Sequence, residues 1–424
     1  MEDVLQTFTK YEFEILFLLS IKPFCYNCIL KFINHLFLIV ASLLLLTTCQ
    51  KEFSSQKESG FLFFEEPGDF RLNTLKELSD GKLLVAGTTS IRLASTTFTI
   101  DSATLYIVDP NNYSYKRIQS ISEFSYLFCG AIEAEDQSLI VWAMDRISRR
   151  SVLLKFDKNY QVVKRVTLTS KTPYLGSYNL TILKDGAINS IIQLKDGNFL
   201  LEGQNVGLKS QLVKFDKDLN IIWGQESDIV LRDFVETSDA SILSAGYNEV
   251  THKAVIVKYS SEGNLIWEKN LNLPLNASFY NVLSNNSFYW GSGYFSWSPD
   301  FQGKTEGFIT KFNENGDSLF CKTFISALDD EGHKILPTAD GGFIFLMHRE
   351  YLASRLSNLI KLDADLNIIW EKPFGRNGDF VSLVAAITLK NGNIVIGGFG
   401  DHIIKDINRK DGYILVLDKN GNPI

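Results

Sequence analysis

Gln211-Leu-Val-Lys-Phe-Asp-Lys-Asp-Leu-Asn-Ile-Ile-Trp223 decides the fold, because the same grammar returns twice more. It recurs as Ala254-Val-Ile-Val-Lys-Tyr-Ser-Ser-Glu-Gly-Asn-Leu-Ile-Trp267 and as Leu359-Ile-Lys-Leu-Asp-Ala-Asp-Leu-Asn-Ile-Ile-Trp370. Each copy is a short apolar run, a turn rich in Asp, Asn or Gly, and a second apolar run ending in Trp. Runs of that length between turn residues read as strands, and helical periodicity is absent. Upstream of the first copy stands Ile191-Ile-Gln-Leu-Lys-Asp-Gly-Asn-Phe-Leu-Leu201, a further apolar–turn–apolar unit. Its Asp-Gly reads as a two-residue hairpin turn with positive φ at both central positions. One unit therefore holds four strands joined by two short turns.

Working outward, the equivalent turns fall at positions 80, 136, 196, 239, 285, 340 and 391, at intervals of 56, 60, 43, 46, 55 and 51 residues. Seven copies of a four-stranded unit predict an all-β, seven-bladed β-propeller of antiparallel blades. The register inside each unit is tight: Lys214 to Trp223, Lys258 to Trp267, Lys311 to Phe320 and Lys361 to Trp370 all span the same interval. Trp223, Trp267, Phe320 and Trp370 are predicted to wedge between blades as structural rings. The last unit stops at Ile424, short of a fourth strand, and Phe61-Leu-Phe-Phe-Glu-Glu-Pro-Gly68 reads like Ile368–Gly375. The N-terminal strand is therefore expected to complete the last blade, which removes an open sheet edge.

The 424 residues carry 42 Lys+Arg and 49 Asp+Glu, a net charge of −7, and that balance argues against a nucleic-acid partner. Five cysteines exclude a disulfide-dense scaffold. Residues 32–48 hold no charged side chain, and the apolar heart from Leu36 to Leu46 has the length of a signal-peptide core rather than a membrane span. Leu46-Thr47-Thr48-Cys49 and the polar run from Gln50 to Gly60 follow directly. This resembles a bacterial lipoprotein signal, which implies a lipid on Cys49, a membrane partner through that lipid, and a cell-envelope location at the outer membrane, on its periplasmic or outer side. Thr48 stands where such signals usually place Gly, Ala or Ser. The expected organisation is a signal or membrane segment over 1–48, with 1–30 an over-extended start, a polar tether over 49–60 and the propeller over 61–424. The repeats resemble the Trp-ended propeller repeats of bacterial exported proteins, distantly the quinoprotein type. That resemblance implies a fold and is nearly silent on activity.

Catalytic motifs are missing: there is no P-loop, no G-x-G-x-x-G, no His-Glu-x-x-His and no nucleophile elbow. Cys25-Tyr-Asn-Cys28 is a lone C-x-x-C, short of the four ligands of a zinc site, and no metal is expected. Asp216–Asn220 and Asp363–Asn367 open like calcium loops, but Ile221 and Ile368 stand where such a loop needs Gly, so both read as turns. Of the Trp residues that end a unit, only Trp267 has a Gly at the quinoprotein spacing, Gly263, so no cofactor is expected. Cys129 and Cys321 read as core thiols.

The connection between strands two and three varies most, being shortest in the third unit and longest in the fifth and seventh. Insertions gathered on one face mark a binding face. Its candidates are Arg146, Arg149, Arg150, His252, Tyr294, Trp297, His348, Arg349, Asp401 and His402. The expected function is a lipid-anchored binding or scaffold module for a protein or glycan. Two alternatives stand beside it: a carbohydrate-active hydrolase or lyase on the same face, and an architectural subunit of an outer-membrane complex.

Overall fold

The computed structural model describes residues 61–64, 69–92, 99–121, 126–145, 150–167, 191–204, 210–273, 276–285, 287–298, 304–326, 329–351, 354–374, 381–404 and 407–424. Cys25, Cys28 and Cys49, with the expected leader and tether over 1–60, lie outside them. The described residues form 28 strands, β1 to β28 in chain order, arranged as seven four-stranded antiparallel sheets in a ring. The chain is an all-β, seven-bladed propeller. The first strands of the blades are β2 (Asp69–Glu77), β6 (Tyr126–Glu133), β10 (Ile191–Gln193), β14 (Ile229–Glu236), β18 (Asn276–Asn285), β22 (Asp329–Pro337) and β26 (Val381–Thr388). Neighbouring first strands touch around the ring and form its inner edge, except that β14 meets the third blade through β11 (Phe199–Gln204) and β12 (Ser210–Phe215).

The seventh blade joins the two ends of the chain. Strand β1 (Phe61–Phe63) pairs antiparallel with β28 (Ile407–Leu417), Phe61 opposite Leu415 and Phe63 opposite Tyr413. Phe64 is fully buried, its N–H donates to the Gly412 carbonyl at 3.0 Å, and its ring stacks on Tyr106 of the first blade at 4.7 Å. Phe70 fills the space above Gly412, where a Cβ would lie 2.0 Å from the ring. The Tyr113 hydroxyl donates to the Ile424 carbonyl at 2.8 Å, so both chain ends are fastened at one seam.

Each buried cluster sits in a seam between two blades, and seven such clusters cover the seven seams. No blade buries its faces alone, so stability belongs to the ring.

The first hairpins differ from the expected two-residue form. Gly81 N–H donates to Leu78 C=O at 3.0 Å and Leu78 N–H to Lys82 C=O at 2.7 Å, and among the described residues each turn has a single positive φ. This is a type I turn closed by a bulge, and its left-handed residue is Gly81, Gln137, Gly197, Ala240, Ser287, Gly341 or Gly392. The Asp before it is needed for its carboxylate rather than its backbone: Asp196 Oδ1 accepts the Asn198 N–H at 2.9 Å.

The third-strand lysine answers the same Asp. Lys155–Asp136, Lys214–Asp196, Lys258–Asp239 and Lys361–Asp340 are ion pairs of 3.1, 2.6, 2.9 and 2.7 Å. Hydrogen bonds from Lys361 and Thr338 hold the Asp340 carboxyl at about 2.

Candidate functional site at the connection-face rim

Both hairpin turns of each blade lie on one face of the ring, and the longer connections lie on the other. The inner strands carry a common irregularity in that second half. Register slips by one residue between Leu72 and Thr74, Phe128 and Gly130, Leu231 and Asp233, Phe279 and Asn281, Gly332 and Lys334, and Leu383 and Ala385. The residues left over are Asn73, Cys129, Arg232, Tyr280, His333 and Val384. A bulge re-aims the side chain of its extra residue.

In the fourth, fifth and sixth blades those side chains meet. The Arg232 guanidinium carbon lies 5.7 Å from the Tyr280 ring centre and 5.6 Å from that of Tyr247. Tyr280 stacks on His333 at 4.6 Å with planes 13° apart, and its other neighbour is Tyr294 at 5.2 Å. His333 lies 3.8 Å from His348, centre to centre. Glu331 Oε2 is 3.5 Å from His333 Nε2. Tyr247, Tyr294 and His348 come from the second strands β15 (Ile242–Asn248), β19 (Phe288–Ser296) and β23 (Phe343–Tyr351), near their connection-face ends. Burial raises the pKa of both Tyr247 and Tyr294, so their hydroxyls stay protonated at neutral pH.

A polar ladder supports the rim. Asp233 Oδ2 accepts from Asn281 Nδ2 and from the Val282 N–H at 3.0 Å, and Asn281 Oδ1 accepts the Ile335 N–H at 3.0 Å. Three inner strands are thereby tied side by side. Lys76, Asp233 and Lys334, from the first, fourth and sixth blades, influence one another electrostatically across the ring axis. Removal from bulk water lowers Lys334 to about 8, with Lys76 adding repulsion and Asp233 opposing. Burial raises Glu202 to about 8, against the pull of Arg232 and a hydrogen bond from Ser210.

The structure brings Tyr294 and His348 into this cluster. His348 is fully buried and its Nε2–H donates to the Leu383 carbonyl at 2.8 Å, so it also clasps the next blade. Arg349 bridges within its own blade, from Nε to Asp330 at 2.8 Å and from Nη1 to Glu371 at 3.3 Å. His252 stands exposed with φ of 55° in the short connection of the fourth blade, and Trp297 is 53% exposed beside Phe295. Arg146 and Arg149 lie outside the described residues. Arg150, Asp401 and His402 lie in strands, and only their backbones are described. The long connection of the seventh unit is thus mostly sheet: β27 (Ile394–Ile404) pairs with β28 out to Ile404–Ile407, because pairing satisfies backbone groups that an open loop would leave to water.

Trp223, Trp267 and Trp370 are half-buried, each packed on the second hairpin turn of the next blade. Trp223 donates from Nε1 to the Ser261 carbonyl at 3.1 Å, and its ring covers Gly263, whose φ of +84° admits no side chain there. Phe320 holds the same position of its outer strand but differs in being 45% exposed, so its ring is not buried in a seam. In the Asp216 turn, Oδ1 accepts the N–H groups of Asp218 and Asn220, both at 2.8 Å, which is turn chemistry. Asp363 does the same for Asp365 and Asn367. Burial pushes the Cys321 thiol up to about 11, an inert thiol.

No protein-family model matches the chain, and no curated protein matches it. Solved structures do resemble it. The β-propeller domain of the Trilobed protease from Pyrococcus furiosus, described as having an open velcro topology, is 13% identical with a TM-score of 0.48 over 82% of this chain and 95% of that one. Sqt1 from Chaetomium thermophilum is 11% identical, TM-score 0.47, over 85% and 98%. The NanB sialidase from Streptococcus pneumoniae is 10% identical, TM-score 0.46, over 85% and 71%. At these identities and scores the resemblances assign no activity to this chain.

Proposed function

We propose that the chain is a binding module, tethered to the cell envelope by a lipid on Cys49, whose ligand docks on the rim of blades four to six. The observation that supports this reading is the cluster Arg232–Tyr247–Tyr280–Tyr294–His333. Five strands of three blades converge there, and the side chains combine flat apolar faces, hydroxyls and a cation. Aromatic residues and arginine dominate the energetics of recognition surfaces. The ligand is a protein or a glycan. Capture of envelope polysaccharides and envelope proteins by the full chain is compared with capture by the double variant Arg232→Ala, Tyr247→Ala. Loss of capture with unchanged melting supports the rim, and equal capture removes it. The tether is tested separately, by detergent partitioning of Cys49→Ala, which is expected to move to the aqueous phase.

One observation favours a second reading, a carbohydrate-active hydrolase or lyase. Glu331 and His333 place a carboxylate beside an imidazole at the same rim, the residue types that general acid–base chemistry uses. Release of reducing or unsaturated ends from a captured polysaccharide, lost in Glu331→Gln, decides for it.

A further inference from the structure

We infer that Glu331, His333 and His348 form a binding site for a divalent transition-metal ion, with zinc the best match to the donor set. The ligand-type atoms of the three side chains lie within 4.8 Å of one another, on two adjacent strands of the sixth blade. Two imidazoles and one carboxylate are a set used by zinc and related ions, and small side-chain rotations bring atoms so placed to the ~2.0–2.2 Å that zinc requires. Linear spacing hides the set, because β22 and β23 supply its members from either side of a hairpin.

The surroundings favour coordination. His348 donates its Nε2–H to the Leu383 carbonyl, which leaves the lone pair on Nδ1. A backbone carbonyl on the far nitrogen is the usual partner of a metal-bound imidazole, and it fixes both tautomer and ring orientation. His333 is 6% exposed, and its Nε2 makes no hydrogen bond among the described residues. Its nearest acidic neighbour is the Glu331 carboxylate at 3.5 Å. A buried ring nitrogen in that position costs free energy unless something binds it. Tyr280 and His348 both pack against the ring, so little ordering remains for the ion to impose.

This assignment does not depend on the ligand reading, since metal uptake is measured with no ligand present. Zinc chloride is titrated into the detergent-solubilised full chain, and bound metal is counted after desalting. The expected result is one equivalent that Glu331→Gln and His333→Gln bind at least about 100-fold more weakly, because loss of even an outer-shell partner costs 10- to 100-fold. Cobalt substituted at this site is expected to show ligand-field bands that either variant abolishes. Circular dichroism of the metal-free variants verifies folding. If His333→Gln does not fold, Glu331→Gln carries the test, because its side chain is partly exposed. Equal zinc retention by wild type and Glu331→Gln, or none by wild type, overturns the assignment. Zinc held by Cys25 and Cys28 survives both substitutions and counts against it.

Discussion

The two faces of the ring are built by opposite rules. On the hairpin face the blades are near copies: the same bulged turn, the same lysine-to-aspartate pair and the same Trp-on-turn contact recur. Neighbouring blades are also latched there. The backbone N–H groups of Ser79, Glu135, Lys195 and Lys390 are accepted by Glu133, Gln193, Glu236 and Glu77 of the next blade, at 2.6 to 3.0 Å. On the connection face no two blades agree. Asn73, Cys129, Arg232, Tyr280, His333 and Val384 occupy one structural position and share no chemistry. Repetition holds the ring together, and variation on a common bulge supplies the site.

That contrast is easiest to break at the closure. Deleting residues 49–68 should cost at least about 5 kcal/mol, since it removes a fully buried Phe64 and opens a sheet edge, whereas deleting Gln50–Ser59 should cost nothing measurable. Equal urea midpoints for the two deletions would show that β1 does not hold the ring shut.

Glu202 probes the connection-facing half next. Its folded pKa of about 8 lies above the unfolded value, so its stabilising neutral form is fully present below about pH 4.5 and is lost as pH rises through 8. Glu202→Gln should therefore match wild type near pH 4.5 and exceed it by up to about 5 kcal/mol above pH 8. A gap independent of pH would place the carboxyl in water.

Trp223→Ala, Trp267→Ala and Trp370→Ala should each cost about 3 kcal/mol, the low end for a large ring because each is half-exposed. Phe320→Ala should cost less than any of them, and thermal melts of the four variants rank the seams. Lys214→Ala should cost about 1–2 kcal/mol, since its ammonium is buried between Asp196 and the Ser261 carbonyl. A fully screened pair would show no change on substitution and no response to added salt in wild type. Smallest of all, Tyr294→Phe should shift stability by under about 0.5 kcal/mol, while any ligand contact through the hydroxyl disappears from a binding isotherm.

The hairpin face was legible in the sequence because its chemistry is local. An Asp two residues before the N–H it caps, or a lysine a fixed interval before a Trp, is visible in one line of text. The seven blades and the closing strand followed from such spacings. The turn subtype did not, since Asp-Gly serves two hairpin geometries, and Phe320 shows that an aromatic at the right interval need not reach a seam. The rim was half visible. Tyr294 and His348 were found through their place near long connections, but Arg232, Tyr280 and His333 were missed because a bulge leaves no local signature. One signal existed: Asn73, Cys129, Arg232, His333 and Val384 each stand seven residues before the turn residue Asp80, Asp136, Asp239, Asp340 or Asn391. Reading that column down the repeats would have gathered most of the cluster.

The pairing of β1 with β28 also sets an order of events in the life of the chain. A ribosome or a translocation pore delivers Phe61 among the first residues of the ring and Leu415 among the last. Until then the first blade offers its half of a seam to nothing, with Phe70, Leu72 and Tyr106 uncovered, and the nascent ring stays open for nearly the whole of synthesis. Among the described residues closure is the most distant pairing in sequence, and distant contacts form slowly. A chain of this design is most exposed to association in that interval, because the surface it hides last is the one most prone to pair with a neighbour.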